Sequence, residues 1–170
     1  GENAGASSFL NLLNSCQMIS GALDRRKIFE VVSSYLAREV RSSHCAIYAI
    51  EGTNPVRVPD TGQGGQSDRA IDEILDISLH VANPMNGMAE AGEWSKFIDR
   101  GQLTPGLFVF RFRCAGAKDF FCVCLSPTKP ASVTEFDARL RMLRAQIEVT
   151  GKNIEQYQGV AQLAYVDDAT

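Results

Sequence analysis

The sequence predicts an α+β domain in which antiparallel strands form a sheet and helices pack on both of its faces. Residues 107–113, Leu-Phe-Val-Phe-Arg-Phe-Arg, alternate between an apolar side and a partly charged side, as a half-buried strand does. Residues 120–125, Phe-Phe-Cys-Val-Cys-Leu, are apolar on both sides and follow a glycine turn, which indicates a central strand covered on two faces. Residues 133–164 carry apolar side chains at alternating spacings of three and four, which predicts a long helix.

Length and composition indicate one globular domain. The chain has 170 residues, of which 45% are hydrophobic and 22% are charged, enough for one sizeable core. The net charge is −3 and no block of basic residues occurs, so neither nucleic acid nor an anionic membrane is an expected partner. No apolar run approaches the ~20 residues of a membrane-spanning helix, and residues 1–6 lack the features of a signal peptide. We therefore expect a cytoplasmic location.

Two helices are predicted before the first strand. Ser7 or Ser8 is expected to cap a short amphipathic helix, which Gly21 closes. Asp24 is expected to cap a second helix that extends to Val40. A strand over residues 44–51 and a shorter one over 56–58 then predict a hairpin, because a Gly-Thr-Asn-Pro turn separates them.

The middle of the chain is less regular. The glycine-rich residues 60–67 lack the Gly-Lys-Ser/Thr ending of a phosphate-binding loop, so we predict a surface loop. Asp68 is expected to cap a third helix, which ends before Asn83-Pro84. Residues 84–106 interleave large apolar side chains with glycine and proline and are predicted to be irregular. They are typical either of a lid over a pocket or of a loop that completes the core, and both interpretations stand.

The long C-terminal helix is expected to start at Thr134 as its cap. A helix over residues 134–168 would span roughly 50 Å, whereas a compact domain of this size has a diameter of about 35 to 40 Å. The helix should therefore extend past its own domain, and its seam requires a second copy or a following domain. The seam consists of Val133, Phe136, Leu140, Leu143, Ile147, Thr150, Ile154, Tyr157, Ala161 and Ala164.

Five cysteines form an odd set that does not predict a disulfide framework. Cys122 and Cys124 share one face of a strand, with Cys114 on the preceding strand, which is the one arrangement suited to a soft metal or a redox pair. Packing as small hydrophobic side chains is the preferred interpretation.

The order of these elements resembles that of a GAF domain, the small-molecule sensory module of many bacterial signalling proteins. The resemblance rests on the helix pair up to Val40, the strand at 44–51, the hairpin at 107–125 and the closing helix opened by Val-Thr-Glu-Phe-Asp. Residues 163–170 resemble the lead-in to a GGDEF diguanylate cyclase domain, since Asp167, Asp168 and Thr170 match and Ala169 stands where leucine is common.

The resemblance implies a central antiparallel sheet of about six strands, with the terminal helices on one face, often as a dimer bundle, and a ligand pocket on the other. Residues 1–150 would be the sensory domain, and 151–170 would continue the signalling helix into a catalytic domain. The Asn-Lys-Phe-Asp-Glu motif of cyclic-nucleotide binders, the lid cysteine of bilin binders and a convincing axial histidine for haem are absent. No cofactor or metal is expected, and the ligand would be an unidentified small molecule.

Two sets of residues carry the predicted function. Paired arginines suit an anionic ligand, and the groups expected to bind a ligand are Ser78, His80, Trp94, Phe97, Arg111 and Arg113. The residues expected to form the dimer or signalling helix are Phe136, Leu140, Leu143, Ile147, Ile154 and Tyr157.

We therefore predict a regulatory domain that forms a homodimer and relays ligand binding or partner contact through its C-terminal helix to a diguanylate cyclase domain. The fragment itself would not be an enzyme, whereas its parent would convert GTP to cyclic di-GMP. One alternative is a dimerisation spacer that binds nothing. The other is a thiol-dependent enzyme that reduces free methionine sulfoxide, which would require accessible thiols of low pKa.

Overall fold

The computed structural model describes residues 2–42, 44–51, 54–58, 93–95, 98–99, 102–103, 107–114, 119–125, 127–128 and 130–168. It shows an α+β fold built on an antiparallel sheet. The helices are α1 (Glu2–Ser20), α2 (Arg25–Glu39) and α3 (Val133–Asp168). The strands are β1 (His44–Glu51), β2 (Asn54–Arg57), β3 (Glu93–Ser95), β4 (Ile98–Asp99), β5 (Gln102–Leu103), β6 (Leu107–Arg113) and β7 (Asp119–Leu125).

The main sheet has the strand order β2-β1-β7-β6-β3, and every described pair in it is antiparallel. β7 lies at the centre, as its apolar sequence predicts. β4 and β5 pair only with each other among the described strands. The prediction that residues 84–106 are irregular was wrong in part, because β3, β4 and β5 lie there. These strands have two or three residues, too few for a periodicity of two to be visible in the sequence.

Both faces of the central strands are buried. On β6, Phe108, Phe110 and Phe112 belong to the core beneath the helices, and Phe108 packs against Phe136 of α3 with ring centroids 5.5 Å apart. On β7, Phe121 is 1% exposed on the opposite face. The predicted alternation of β6 and the two covered faces of β7 are therefore confirmed. Burying each phenylalanine side chain contributes about 1.5–3 kcal/mol.

The described helices form two layers on one side of the sheet. α2 and α3 contact the strands, and α1 packs across both helices. Asp24 caps α2 as predicted, since its Oδ1 accepts a hydrogen bond from the Lys27 backbone N–H at 2.9 Å. The predicted start of α1 was wrong, because the helix begins at Glu2 and already contains Ser7 and Ser8. A serine caps a helix only if the residues before it are not helical. Here Ala4 and Ala6 favour helix, so the helix continues through Ser7 and Ser8. The predicted third helix and the predicted loop at 60–67 lie outside the described residues.

α2 ends in a Schellman motif with an arginine at its left-handed position. Arg41 has a φ of 52°. The Ser42 N–H donates to the Ala37 carbonyl at 3.0 Å, and the Arg41 N–H donates to the Arg38 carbonyl at 3.4 Å. These two bonds satisfy the last carbonyls of the helix. Glycine is the usual residue at this position, because a Cβ crowds the backbone there.

α3 is 36 residues long, which corresponds to about 54 Å. Its cap is Ser132, whose Oγ accepts from the Glu135 N–H at 3.2 Å, so the predicted cap at Thr134 was two residues late. The seam is buried from Phe136 to Ile154, whereas Val133 is 39% exposed, residues 155–158 are exposed and Tyr157 is 73% exposed. The helix thus leaves the domain body after Ile154. Within the described residues, no helix combines the length and hydropathy that crossing a membrane requires.

Candidate functional site

The candidate site is the face of the sheet turned away from the three helices. The strand register places Tyr48, Phe121 and Arg111 in one row across β1, β7 and β6, and Arg57 of β2 extends that row. Tyr48 is 4% exposed and Phe121 is 1% exposed. The next row consists of Ala46, Val123 and Val109, all buried. This face therefore provides an aromatic and aliphatic floor with a half-buried arginine at each end of one row, the combination typical of a small-molecule site.

A three-residue ionic cluster occupies the β6 end of this row. Asp119, at the start of β7, bonds Arg111 Nη2 through Oδ2 at 2.5 Å and Arg113 Nε through Oδ1 at 2.9 Å. Partial burial would raise the pKa of Asp119, but the hydrogen bonds and charges of the two guanidinium groups outweigh it and lower that pKa. The bond to Asp119 raises the pKa of Arg113, and the charge of Glu148 on α3 adds to this effect. The anion that the paired arginines hold in this structure is thus a carboxylate of the chain itself.

A second arginine contact joins this row to the C-terminal helix. Arg144 of α3 donates from Nε and Nη2 to the main-chain carbonyl of Arg111, at 2.9 and 2.6 Å. Its guanidinium carbon also lies 5.1 Å from the centre of the Phe110 ring. The pairing of β3 with β6 ends at Val109, so Arg144 supplies donors to the sheet edge where the described ladder stops. A planar guanidinium can make both bonds at once, which a lysine cannot.

A polar junction connects the three helices. Glu39 of α2 accepts from Asn11 Nδ2 of α1 at 2.9 Å and lies 3.8 Å from Arg139 Nη2 of α3. The side chains of Glu39 and Arg139 are 7% and 14% exposed. The Tyr35 hydroxyl is buried and makes no hydrogen bond within the described residues, and burial raises its pKa. Since every one of the three helices contributes at least one side chain, a shift of α3 against α1 or α2 would disturb this junction.

A polar groove of about 330 Å³ lies between α1 and the end of α2. Its lining includes Asn11, Asn14, Arg38 and Arg41. Arg38 Nη1 donates to Asn11 Oδ1 at 3.2 Å, so part of its polar lining is already paired. The groove lacks an apolar floor, and we regard the second face of the sheet as the better candidate site.

The cysteines are arranged differently from the prediction. Cys114 directly follows β6, next to the Arg113↔Asp119 pair that begins β7. Cys124 lies near the other end of β7, opposite Phe108, so Cys114 and Cys124 are at opposite ends of the hairpin. The cysteine near Cys124 is Cys45 of β1, the residue directly opposite it. Burial raises the pKa of Cys16, and that of Cys114 to about 11. No group of three potential ligand residues in the described part is placed to hold a metal ion.

The structure describes only part of the predicted ligand set. Arg111 and Arg113 come together on Asp119, and Trp94 is described only by its backbone, which pairs with Phe108. Ser78, His80 and Phe97 lie outside the described residues. Ligand binding by these six residues stays a prediction. Tyr48, Phe121 and Arg144 were not predicted as members of the site, although a strand over residues 44–51 places Tyr48 on the face opposite Cys45 and Ile47.

The predicted signalling seam is mostly internal. Of the six residues predicted to form the dimer or signalling helix, all except Tyr157 are buried in the chain's own core: Phe136, Leu140, Leu143, Ile147 and Ile154. A different stripe of α3 is exposed, with Met142 and Val149 at 50% and 55% and Ala138 and Ala145 between and beside them. On α1, Phe9 and Leu13 are 49% and 44% exposed, on the side opposite Asn11, which binds α2. Within the described residues these two stripes, here called the helical face, leave apolar side chains exposed on α1 and α3.

Two solved structures with a similar fold are GAF domains. The GAF domain of a protein described as a sensor histidine kinase, from Pseudomonas syringae pv. tomato, superposes with a TM-score of 0.59 at 12% identity, covering 95% of this chain and 96% of that one. The GAF domain from the Acinetobacter phosphoenolpyruvate-protein phosphotransferase gives a TM-score of 0.50 at 9% identity, covering 87% and 94%. No protein-family model matches the chain, and no curated protein matches it either. At these identities the likeness concerns the fold, and the fold of this chain is GAF-like.

Proposed function

We propose that this chain is a sensory and regulatory domain that binds a small molecule on the second face of its sheet. The contact between Arg144 and the Arg111 carbonyl supports this most directly. The side chain of Arg111 lies in the row of residues on the candidate ligand face. Its main-chain carbonyl accepts the two hydrogen bonds that attach α3 to β6. A ligand that shifts β6 by a fraction of an ångström would therefore act on α3 without an intermediate element.

The output of such a domain is the position or packing of α3. A ligand changes the balance between two packings only by its difference in affinity for them, typically about 1–3 kcal/mol. The polar junction at Glu39 and Arg139 favours two discrete arrangements over continuous sliding, because a buried charge separated from its partner is costly. We propose that α3 passes this change to a diguanylate cyclase domain in a longer protein, as the likeness of residues 163–170 to a GGDEF lead-in suggests.

Ligand binding is tested by native mass spectrometry of freshly purified protein and by a thermal-shift screen of small metabolites. A bound mass that is lost on denaturation, or a metabolite that raises Tm, is the expected result. Tyr48→Phe should reduce that shift, since it removes one polar group from the floor and keeps the ring. Tyr157→Phe is the matched control, because Tyr157 is exposed on α3. A shift unaffected by Tyr48→Phe and by Arg57→Ala would place the ligand elsewhere.

The relay is tested in the longer protein by measuring conversion of GTP to cyclic di-GMP. Arg144→Ala should leave ligand affinity within about twofold but abolish the dependence of turnover on ligand. Arg141→Ala, an exposed change on the same helix, should leave that dependence intact. Equal regulation in both variants would exclude Arg144 as the link, and a protein that responds to no metabolite would favour the dimerisation spacer.

A further inference from the structure

The strongest unassigned feature is a cluster of three thiols beneath the helices. Cys45 of β1 lies directly opposite Cys124 of β7, and their sulfur atoms are 3.0 Å apart. Cys122 precedes Cys124 by two residues and shares its face of the sheet. All three side chains are at most 2% exposed. We propose that Cys45 and Cys124 are an oxidation site, at which hydrogen peroxide closes a disulfide between the two central strands.

The backbone geometry at this pair suits a disulfide. The Ile47 carbonyl accepts from the Val58 N–H at 2.8 Å, so the peptide groups of Ile47 point toward β2. Residues two apart in a strand point their peptide groups the same way, so those of Cys45 also point away from β7. Cys45 and Cys124 are therefore a non-hydrogen-bonded pair, for which the Cα atoms lie about 4.5 Å apart. That separation falls within the range of about 4.4–6.8 Å found for disulfides.

The surroundings of the three sulfur atoms differ, so one of them is the nucleophile and another is the thiol that completes the disulfide. Hydrogen bonds from Cys122 and Cys124, with a further one from Ser42, lower the pKa of Cys45 to about 4 despite its burial. The pKa of Cys124 is raised, chiefly by burial, and that of Cys122 is raised as well. Of the three sulfur atoms, Cys45 Sγ is therefore the one that ionises most readily, and the thiolate is the nucleophile in cysteine oxidation. Cys124 is the neighbouring thiol that completes the reaction.

The chemistry balances with one peroxide molecule. The Cys45 thiolate attacks one oxygen of hydrogen peroxide, the O–O bond breaks, and the departing hydroxide takes a proton to become water. Cys45 is then a sulfenic acid. The Cys124 sulfur, losing its proton, attacks the Cys45 sulfur, the S–O bond breaks, and a second water leaves. The two thiols are oxidised by two electrons, and the peroxide is reduced to two waters. Because the thiols are buried, a small uncharged oxidant fits the site better than a protein disulfide.

Formation of the Cys45–Cys124 disulfide is expected to change the packing at the start of α3. Phe108 lies directly opposite Cys124 on β6 and packs on Phe136 of α3. The crosslink would join residues 79 apart in the chain, and long loops give large stabilisation when closed. We expect Tm to rise by about 5–10 °C on oxidation and to return on reduction. This effect does not depend on a small-molecule ligand, so it can fail or succeed apart from the proposed sensory function.

The test begins with fully reduced protein treated with hydrogen peroxide. Titration in denaturant should show the loss of two of the five thiols, the intact mass should fall by two hydrogen atoms, and the peptide map should join Cys45 to Cys124. Cys114→Ser, a buried change outside the cluster, is the matched control and should give the same crosslink. Cys124→Ser should stop at a sulfenic acid on Cys45, which dimedone traps.

Three outcomes would overturn the proposal. All five thiols could remain after peroxide treatment, the crosslink could join Cys122 to another residue, or the sole disulfide could join two chains through the half-buried Cys16. The wild-type peptide map decides among them even if Cys124→Ser fails to fold. Circular dichroism of each variant before oxidation establishes that the reduced proteins are comparable.

Discussion

Arg41 holds a backbone conformation that disfavours its side chain. With φ at 52°, its Cβ crowds the backbone, whereas glycine would not. We expect Arg41→Gly to raise the free energy of unfolding by about 0.5–1 kcal/mol, after allowing for the greater chain entropy of unfolded glycine. Urea unfolding measures this. Arg41→Ala keeps the Cβ and should give no comparable gain, so equal stabilisation by alanine would refute the backbone explanation.

Asp119 gives the domain a defined acid sensitivity. Its folded pKa is lowered, so its contribution to stability is present above the ordinary aspartate pKa of about 4. That contribution is lost as the pH falls from there through the lower folded pKa, where the carboxylate takes up its proton. Urea unfolding between about pH 5 and pH 3 should therefore show a shallower decline for Asp119→Asn than for the wild type. Asp137→Asn, a change on α3 away from the arginine pair, is the control. Parallel slopes for the wild type and Asp119→Asn would contradict the shift.

For single residues, the sequence predicts only contacts between side chains and backbone groups that are a few positions apart in the chain. Asp24 was predicted correctly because its carboxylate bonds an N–H three residues away. The prediction of Thr134 as the cap of α3 was wrong, because Ser132 can also cap and only the path of the chain into the helix decides between them. Arg111 and Arg113 were recognised as a pair, but Asp119 was not recognised as their anion. That contact needs the exact register of the β6–β7 hairpin.

The anchoring of α3 on β6 depends on one side chain. We expect Arg144→Ala to lower the free energy of unfolding by about 2 kcal/mol, because a half-buried carbonyl loses two hydrogen bonds from a charged donor. Arg144→Lys should recover less than half of this loss, since an ammonium cannot make the bidentate contact. Thermal and urea unfolding give the comparison, with Arg141→Ala as the exposed control. A full recovery by lysine would mean that charge alone matters.

Element type was predictable where an element is long and faces two environments. β6 shows its alternation over seven residues and α3 its seam over five heptads. β3 to β5 could not be predicted, because so short a strand is defined by its partner rather than by its own sequence. The same limit explains why the contact between Cys45 and Cys124 was not predicted. The pairing of Cys45 with Cys124 joins residues 79 apart, and no local pattern indicates it.

The helical face makes a prediction about the whole molecule. Apolar side chains exposed in a stripe on adjacent helices are typical of an interface, and we propose that a second copy of the chain covers this one. Met142→Glu with Val149→Glu should then shift the protein to a monomer in analytical ultracentrifugation, with an unchanged circular dichroism spectrum. Leu23→Glu is the matched control, because Leu23 is 86% exposed on the turn between α1 and α2. A wild-type monomer at all accessible concentrations would exclude this dimer.

The packing of α1 against α3 brings together the two ends of the described chain. Within this domain, α1 is synthesised before the sheet and α3 after it. The core positions that α3 fills, including those facing Phe108 and Phe110, therefore stay open to water until α3 itself has been synthesised. A chain whose synthesis stopped before residue 133 would expose the phenylalanines of the sheet that α3 normally covers. Slow translation across residues 133–154 would therefore lengthen the time for which these phenylalanines are exposed and able to aggregate.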